Sequence, residues 1–223
     1  MSELRHLGII ADGNRRWAKE HNLPKIEGHR QGLKTIEELI ASAKKLGIPF
    51  LSFYVFSTEN WGREKTEVDY IMKMAESKIV KMAEKMAKNN VRLVILGSRE
   101  KVSPTLVSLG EKAQKITENC DGTTVCFCFN YGGEQEIVDA AKIASSEGEI
   151  TPETIRKHLY KPEIPDVDMV VRTSGEMRIS GFMLWRVAYS ELMFMEKYFP
   201  DMNADDMKMI IKEFEKRNRR FGK

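Results

Sequence analysis

The chain has 223 residues, 36 of them basic and 33 acidic, for a formal net charge of +3. That length suits one sizeable α/β domain spanning residues 1–223, and no composition break calls for a second. The near balance of charge excludes nucleic-acid binding through bulk positive charge, and no stretch approaches the roughly 20 apolar residues of a membrane-spanning helix.

The first apolar run, His6–Ala11, reads as a buried strand. It ends at Asp12-Gly13-Asn14-Arg15-Arg16-Trp17-Ala18, where a carboxylate and a glycine precede an arginine-rich amphipathic segment. A strand end feeding a helix start gathers backbone N–H groups, and two arginines add donors suited to phosphate. Simple anion binding leaves the carboxylate unexplained. It is explained if Asp12 holds a divalent cation that bridges to a diphosphate. Residues 30–46 then carry Leu33, Ile36, Leu39, Ile40 and Ala43 on one helical face. His29 precedes that pattern and reads more readily as a cap or surface residue than as a ligand.

Further strands are expected at Phe50–Phe56, Val91–Leu96, Thr124–Asn130, Met169–Arg172 and Leu192–Met195, and further helices at 64–89, 104–119, 134–146 and 203–218. Ser103-Pro104 and Thr151-Pro152 supply a cap residue followed by proline at the first helical position. The region 146–167, with Gly148, Pro162 and Pro165, reads as surface loop and short helix. Strands alternating with helices imply a roughly six-stranded, mostly parallel sheet covered on both faces. Ligands of such a sheet sit beyond the carboxyl ends of its strands. There the sequence places Asp12-Gly13-Asn14, Ser57-Thr58-Glu59-Asn60-Trp61, Asn130-Tyr131-Gly132-Gly133 and Arg172-Thr173-Ser174-Gly175-Glu176.

Other constellations are weaker. Phosphate-loop and dinucleotide glycine motifs are missing from the sequence, as is a serine-nucleophile elbow. Cys120, Cys126 and Cys128 are an odd number within nine residues, which fits a reducing cytosol and a cytoplasmic location. Alternation places Cys126 and Cys128 on one strand face, which favours packing over metal binding. Arg172, Arg178 and Ser180 can converge on one anion across a glycine turn. Glu191 starts the last strand, either as a solvated edge charge or as a second carboxylate near a metal. Trp17 and Trp61 pack a core or wall a site. The methionines at 72, 74, 82 and 86, with Phe127 and Phe129, suit a core or an apolar tunnel for a hydrocarbon equally well.

Taken together and in order, these stretches resemble the cis-prenyltransferases, whose best-known members are undecaprenyl diphosphate synthases. The similarity runs from His6 to Gly222 and includes Gly28-His29, Phe56 to Trp61 with Arg63, Arg178-Ile179-Ser180, Leu184-Trp185, Ala188-Tyr189, Glu191-Leu192 and Arg219-Arg220-Phe221-Gly222. The resemblance implies a homodimeric enzyme that joins an allylic prenyl diphosphate to isopentenyl diphosphate with cis geometry. It implies an allylic site at Gly13, Asn14, Arg15, Arg16, Trp17, Lys25 and His29, with Mg²⁺ on Asp12 and Glu191. It implies an isopentenyl diphosphate site at Arg172, Arg178, Ile179 and Ser180, and closure by Ser57, Thr58, Glu59, Asn60, Trp61 and Arg63. Arg220 and Gly222 resemble a tail that reaches the partner subunit's site. Asn60 stands where a proton acceptor is proposed, but a carboxamide is a poor base and is expected to orient substrate or water. A lipid product implies transient contact with a membrane surface. Ala11, Lys25, Glu134 and Gly181 depart from residues frequent in the family and bear on acceptor identity and product length. Two other readings are a homologue using a second allylic diphosphate or an alcohol as acceptor, and a non-catalytic partner subunit.

Overall fold

The computed structural model describes residues 3–217. The predicted Arg220 and Gly222 lie outside them, as do Arg219 and Phe221. Six strands form one sheet: β1 (His6–Ile10), β2 (Phe50–Ser57), β3 (Arg92–Leu96), β4 (Thr124–Tyr131), β5 (Met169–Arg172) and β6 (Glu191–Phe194). Their order is β3-β4-β2-β1-β5-β6, and every pairing is parallel, where the sequence implied only a mostly parallel sheet. The helices are α1 (Asn14–Glu20), α2 (Lys25–Lys45), α3 (Lys65–Lys88), α4 (Pro104–Ile116), α5 (Gly133–Glu147), α6 (Pro152–His158) and α7 (Ala204–Glu215).

Both faces of the sheet are covered, which is why its strands read as continuous apolar runs. Leu7, Ile9, Leu51, Phe53, Val125 and Phe127 join one core with residues of α2, α3 and α7. Ile10, Tyr54, Cys126 and Cys128 face the other core with Phe182 and Met183. The two cysteines thus pack apolar surface, and burial pushes the Cys126 thiol up to about 12. All three cysteines are free.

Helix α2 begins at Lys25, five residues before the predicted start, so His29 lies inside it. Gly28 hid that start because it looks like a helix breaker. Its real constraint is close approach: a Cβ there would lie 1.9 Å from the Asn14 carbonyl oxygen of α1. The loop before α3 contains a 3-10 turn, Thr58–Gly62, that sequence periodicity did not show. On the second face a buried pair, Arg186 Nη1 to Glu136 Oε1 at 2.8 Å, ties the 179–190 segment to α5. The Gly133 N–H donates to the Gly181 carbonyl at 2.9 Å, holding two site loops together.

Candidate active site

The chain leaves β1 toward β2 and leaves β5 toward β6, on opposite sides of the sheet. The crevice between the carboxyl ends of β1 and β5 is therefore the topological switch point, where ligands of this architecture bind. Ile10 pairs with Arg172 in register there, so Asp12 and Arg172 meet. Arg172 Nη2 donates to Asp12 Oδ2 at 2.8 Å, and its Nη1 donates to the Arg178 carbonyl at 2.6 Å and to Ser180 Oγ at 2.9 Å. One guanidinium, 5% exposed, thus sets both the carboxylate and the following loop. Thr173 pins the Asp12 backbone from both sides: its Oγ1 accepts from Asp12 N–H at 3.0 Å and lies 2.7 Å from the Asp12 carbonyl. Gly13, at φ 102°, donates its N–H to Asp12 Oδ1 at 2.7 Å.

A basin of about 670 Å³ opens over this pair. Asp12, Asn14, His29, Ser57, Thr58, Glu59, Asn60, Arg63, Arg172 and Ser180, all singled out in the sequence, line it. Ile10, Ala11, Tyr54, Val55, Gly132, Gly133, Glu134, Gln135 and Gly181 complete the lining. The capping bond of the 3-10 turn sets Asn60: its Oδ1 accepts from Ser57 N–H at 3.1 Å. With that oxygen engaged, Asn60 offers a ligand its amide donors, as befits a residue that orients rather than deprotonates.

Carboxylates partner the basic residues around the basin. Arg16 Nη1 lies 3.0 Å from Glu176 Oε1, and Arg178 Nη1 lies 2.6 Å from Glu176 Oε2. Glu176 therefore bridges the arginines of the two expected diphosphate sites, and the hydrogen bond from Arg178 holds its carboxyl below the usual range. Arg16 also approaches Asp12 at 3.7 Å and the Tyr198 ring at 5.9 Å. His29, Arg63 and Arg15 gather on Glu67, a first-turn acid of α3 that no motif in the sequence marks. Burial pulls His29 below its ordinary range, and its hydrogen bond to Glu67 partly offsets that. Lys25 pairs with Glu64 at the surface, 2.9 Å away.

Other expected site residues are engaged elsewhere. Trp17 Nε1 donates to Asp201 Oδ1 at 2.6 Å while its ring stacks on His21. Trp61 Nε1 donates to Asn130 Oδ1 at 2.7 Å, and its ring packs edge-on against Phe56. Both tryptophans brace the scaffold behind the basin. Ile179 packs against the second core. Glu191 pairs with Met169 at the start of β5 and β6, the amino end of the sheet. It binds Arg217 at 3.0 Å. Within one chain it is not brought to Asp12, which lies beyond the opposite end of the strands. Helix α1 has only seven residues, so its dipole adds little positive potential to the basin beside the arginine side chains.

A second cavity, about 180 Å³, lies between the sheet and helices α3 and α4. Met74, Ala75, Ile79, Met82, Ile95, Phe127 and Phe129 are among its lining residues, whereas Met86 belongs to the core and Met72 packs near Phe56. Val55 lines both cavities and is 36% exposed although it sits in an interior strand. The polar basin and the apolar cavity thus adjoin at Val55.

Residues 10–222 match the family model described as "Putative undecaprenyl diphosphate synthase". The isoprenyl transferase of Rickettsia bellii is 42% identical over all of both chains. That of Thermotoga maritima is 41% identical, covering 97% of this chain and 96% of its own. The chain belongs to this family. It is an isoprenyl transferase, a prenyltransferase enzyme. Its fold matches lavandulyl diphosphate synthase from Lavandula x intermedia, solved in complex with dimethylallyl diphosphate, with a TM-score of 0.94, 28% identity and 98% of each chain covered. It also matches a probable undecaprenyl diphosphate synthase from Campylobacter jejuni, with a TM-score of 0.86, 35% identity and all of both chains covered.

Proposed function

We propose that this prenyltransferase condenses an allylic prenyl diphosphate with isopentenyl diphosphate, forms a cis double bond, and feeds the growing chain past Val55 into the cavity along α3. One observation carries the reading. Among the described residues, the four buried side-chain polar atoms without a hydrogen-bond partner are Asn14 Oδ1, Glu67 Oε2, Arg172 Nε and Ser174 Oγ. All four belong to residues in or around the basin, and buried polar atoms are rarely left unpaired without a functional reason. Arg172 Nε and Ser174 Oγ can donate to an anionic ligand, whereas Asn14 Oδ1 and Glu67 Oε2 are acceptors that call for a donor; the adjoining apolar cavity suits the ligand's hydrocarbon part.

Among the described residues, no group of three or more His, Cys, Asp or Glu side chains could hold a metal. That fits Mg²⁺ in the mode that uses one carboxylate, substrate phosphates and water. Asp12 suits it: the side chain is 31% exposed to the basin, and each oxygen accepts one hydrogen bond, leaving lone pairs free. When bound, Mg²⁺ supplies positive charge to the departing diphosphate. Arg172 keeps Asp12 aimed, while Arg16, Arg15 and His29 surround the allylic diphosphate and share its developing charge. Arg178 and Ser180 hold the acceptor diphosphate. The acceptor's terminal alkene carbon then forms a bond to the allylic C1 as the C1–O bond breaks, and the C2 proton of the acceptor passes to an oxygen of the released diphosphate. Asn60 orients the reacting groups through its amide donors.

The enzyme acts as a homodimer in this reading, with exposed Tyr189 and Leu192 beside edge strand β6 available to a second copy. No helix among the described residues is long and apolar enough to cross a membrane, so lipid product would pass to a membrane surface by transient contact. The free cysteines support a cytoplasmic setting. Incubation with Mg²⁺, isopentenyl diphosphate and allylic primers of graded length, followed by mass analysis, tests the activity. Products that grow by five-carbon steps support it. Consumption of the primer alone, or transfer only to added alcohols, would replace it with the corresponding acceptor reading.

A further inference from the structure

Glu67 sits in the first turn of α3 and is 4% exposed. Its Oε1 lies 3.1 Å from His29 Nε2 and 3.3 Å from Arg63 Nη1, while its Oε2 is 3.7 Å from Arg15 Nε and takes no hydrogen bond. The three partners come from α2, from the end of the 3-10 turn and from α1. His29 and Arg63 line the basin. Two arginines would repel each other and splay without a shared anion, and a buried carboxylate is costly unless surrounded by donors in this way. The half-satisfied Oε2 shows that the arrangement is not optimised for the stability of the empty protein.

We infer that Glu67 is a positioning residue that orders Arg15, Arg63 and His29 into one cradle for the allylic diphosphate. The inference rests on the reading of the basin as a diphosphate site. It separates attraction from placement. Removing the negative charge leaves the cradle more positive, so simple attraction for a diphosphate holds or rises. The loosened donors are then no longer aimed at the oxygens where charge develops as the bond breaks, so turnover falls.

The test is Glu67→Gln, which keeps the shape of the side chain and one acceptor oxygen. Inorganic pyrophosphate binding is measured by calorimetry, and steady-state turnover is measured with allylic and isopentenyl diphosphates. The expected result is a pyrophosphate Kd unchanged or up to tenfold tighter, with kcat at least tenfold lower and Tm within a few degrees. Glu67→Asp, which keeps the charge, should recover part of kcat. An unchanged kcat, or a kcat lost in step with pyrophosphate affinity and Tm, overturns the inference. If Glu67→Gln does not fold, Arg15→Met is the second variant. Arg15 is half exposed, and its removal should lower kcat by a similar factor; undiminished turnover again overturns the inference. A wild-type protein that binds no pyrophosphate overturns the reading of the basin and the inference with it, an outcome distinct from the others because it is seen without any substitution.

Discussion

Asp12→Asn separates fold from chemistry at the carboxylate proposed to hold Mg²⁺. In the native site Oδ1 accepts the Gly13 N–H at 2.7 Å and Oδ2 accepts Arg172 Nη2 at 2.8 Å. An asparagine has one acceptor and one donor group, so an NH₂ must face either the Gly13 N–H or the guanidinium. Either choice leaves a donor unmet, and Arg172 becomes a buried cation that has lost its ionic partner. An unmet buried group costs about 1–3 kcal/mol, and partial exposure of Asp12 keeps the ion-pair loss at the lower end of the buried range. For a domain of this size, that is a fall in Tm of about 2–10 °C, so the variant stays folded. Activity should suffer far more. Loss of one electrostatic contact to developing charge costs about 10²–10³ in kcat, and loss of the metal carboxylate as well should take turnover down by at least about 10³. Product formation is assayed across a Mg²⁺ titration, beside a thermal melt. Turnover within tenfold of wild type at saturating Mg²⁺ would refute the assignment of Asp12.

Three other outcomes follow from local geometry. Ala75 lines the apolar cavity, so Ala75→Phe should shorten the products, read by mass analysis, while turnover in the first condensation stays near wild type; an unaltered product distribution would show that the chain grows elsewhere. Gly13→Ala places a Cβ 2.8 Å from the Tyr198 ring at φ 102°, which should cost about 1–3 kcal/mol in urea unfolding and disturb Asp12 along with it. His6 is wholly buried and neutral, its pKa lowered to about 4 mainly by burial, with the Pro165 carbonyl opposing. The unfolded chain binds that proton near pH 6.5 and the folded one does not, so stability is full above 6.5 and falls as pH drops toward 4. Wild type should lose about 2 kcal/mol more than His6→Phe between pH 7 and pH 5; equal losses would show that His6 does not titrate in this way.

What the sequence showed and what it hid have physical causes. The strands were legible because both sheet faces are buried, which makes each an unbroken apolar run such as Thr124–Tyr131. The loops at their carboxyl ends were legible because parallel strands all point one way. The same rule places Glu191 without coordinates: it starts its strand, whereas Asp12 and Arg172 stand at or beyond the ends of theirs, so within one chain it belongs to the opposite edge of the sheet. Trp17 and Trp61 sit beside polar site residues in sequence, yet adjacency along a turn does not fix direction, and their indole N–H groups found Asp201 and Asn130. The start of α2 was hidden by a glycine whose purpose, contact with Asn14, is tertiary. Glu67 was hidden because its partners lie up to 52 positions away, and no local pattern links a helical first-turn acid to them.

The carboxylates of the basin also bear on how it handles charge. Arg172 is held by Asp12, Arg16 and Arg178 by Glu176, and Arg15 and Arg63 by Glu67. Among the described residues, each arginine expected to meet a diphosphate is therefore already paired with an internal anion, which removes part of the entropy cost of fixing long side chains when substrate arrives. A diphosphate must draw these arginines from their carboxylates, so net affinity stays moderate. The advantage appears when the allylic C–O bond breaks and the leaving group gains charge, because donors already in place need not reorganise. Glu176 joins Arg16 and Arg178, one arginine from each proposed site, so in the proposed reading a ligand that captures Arg16 would loosen the hold on Arg178.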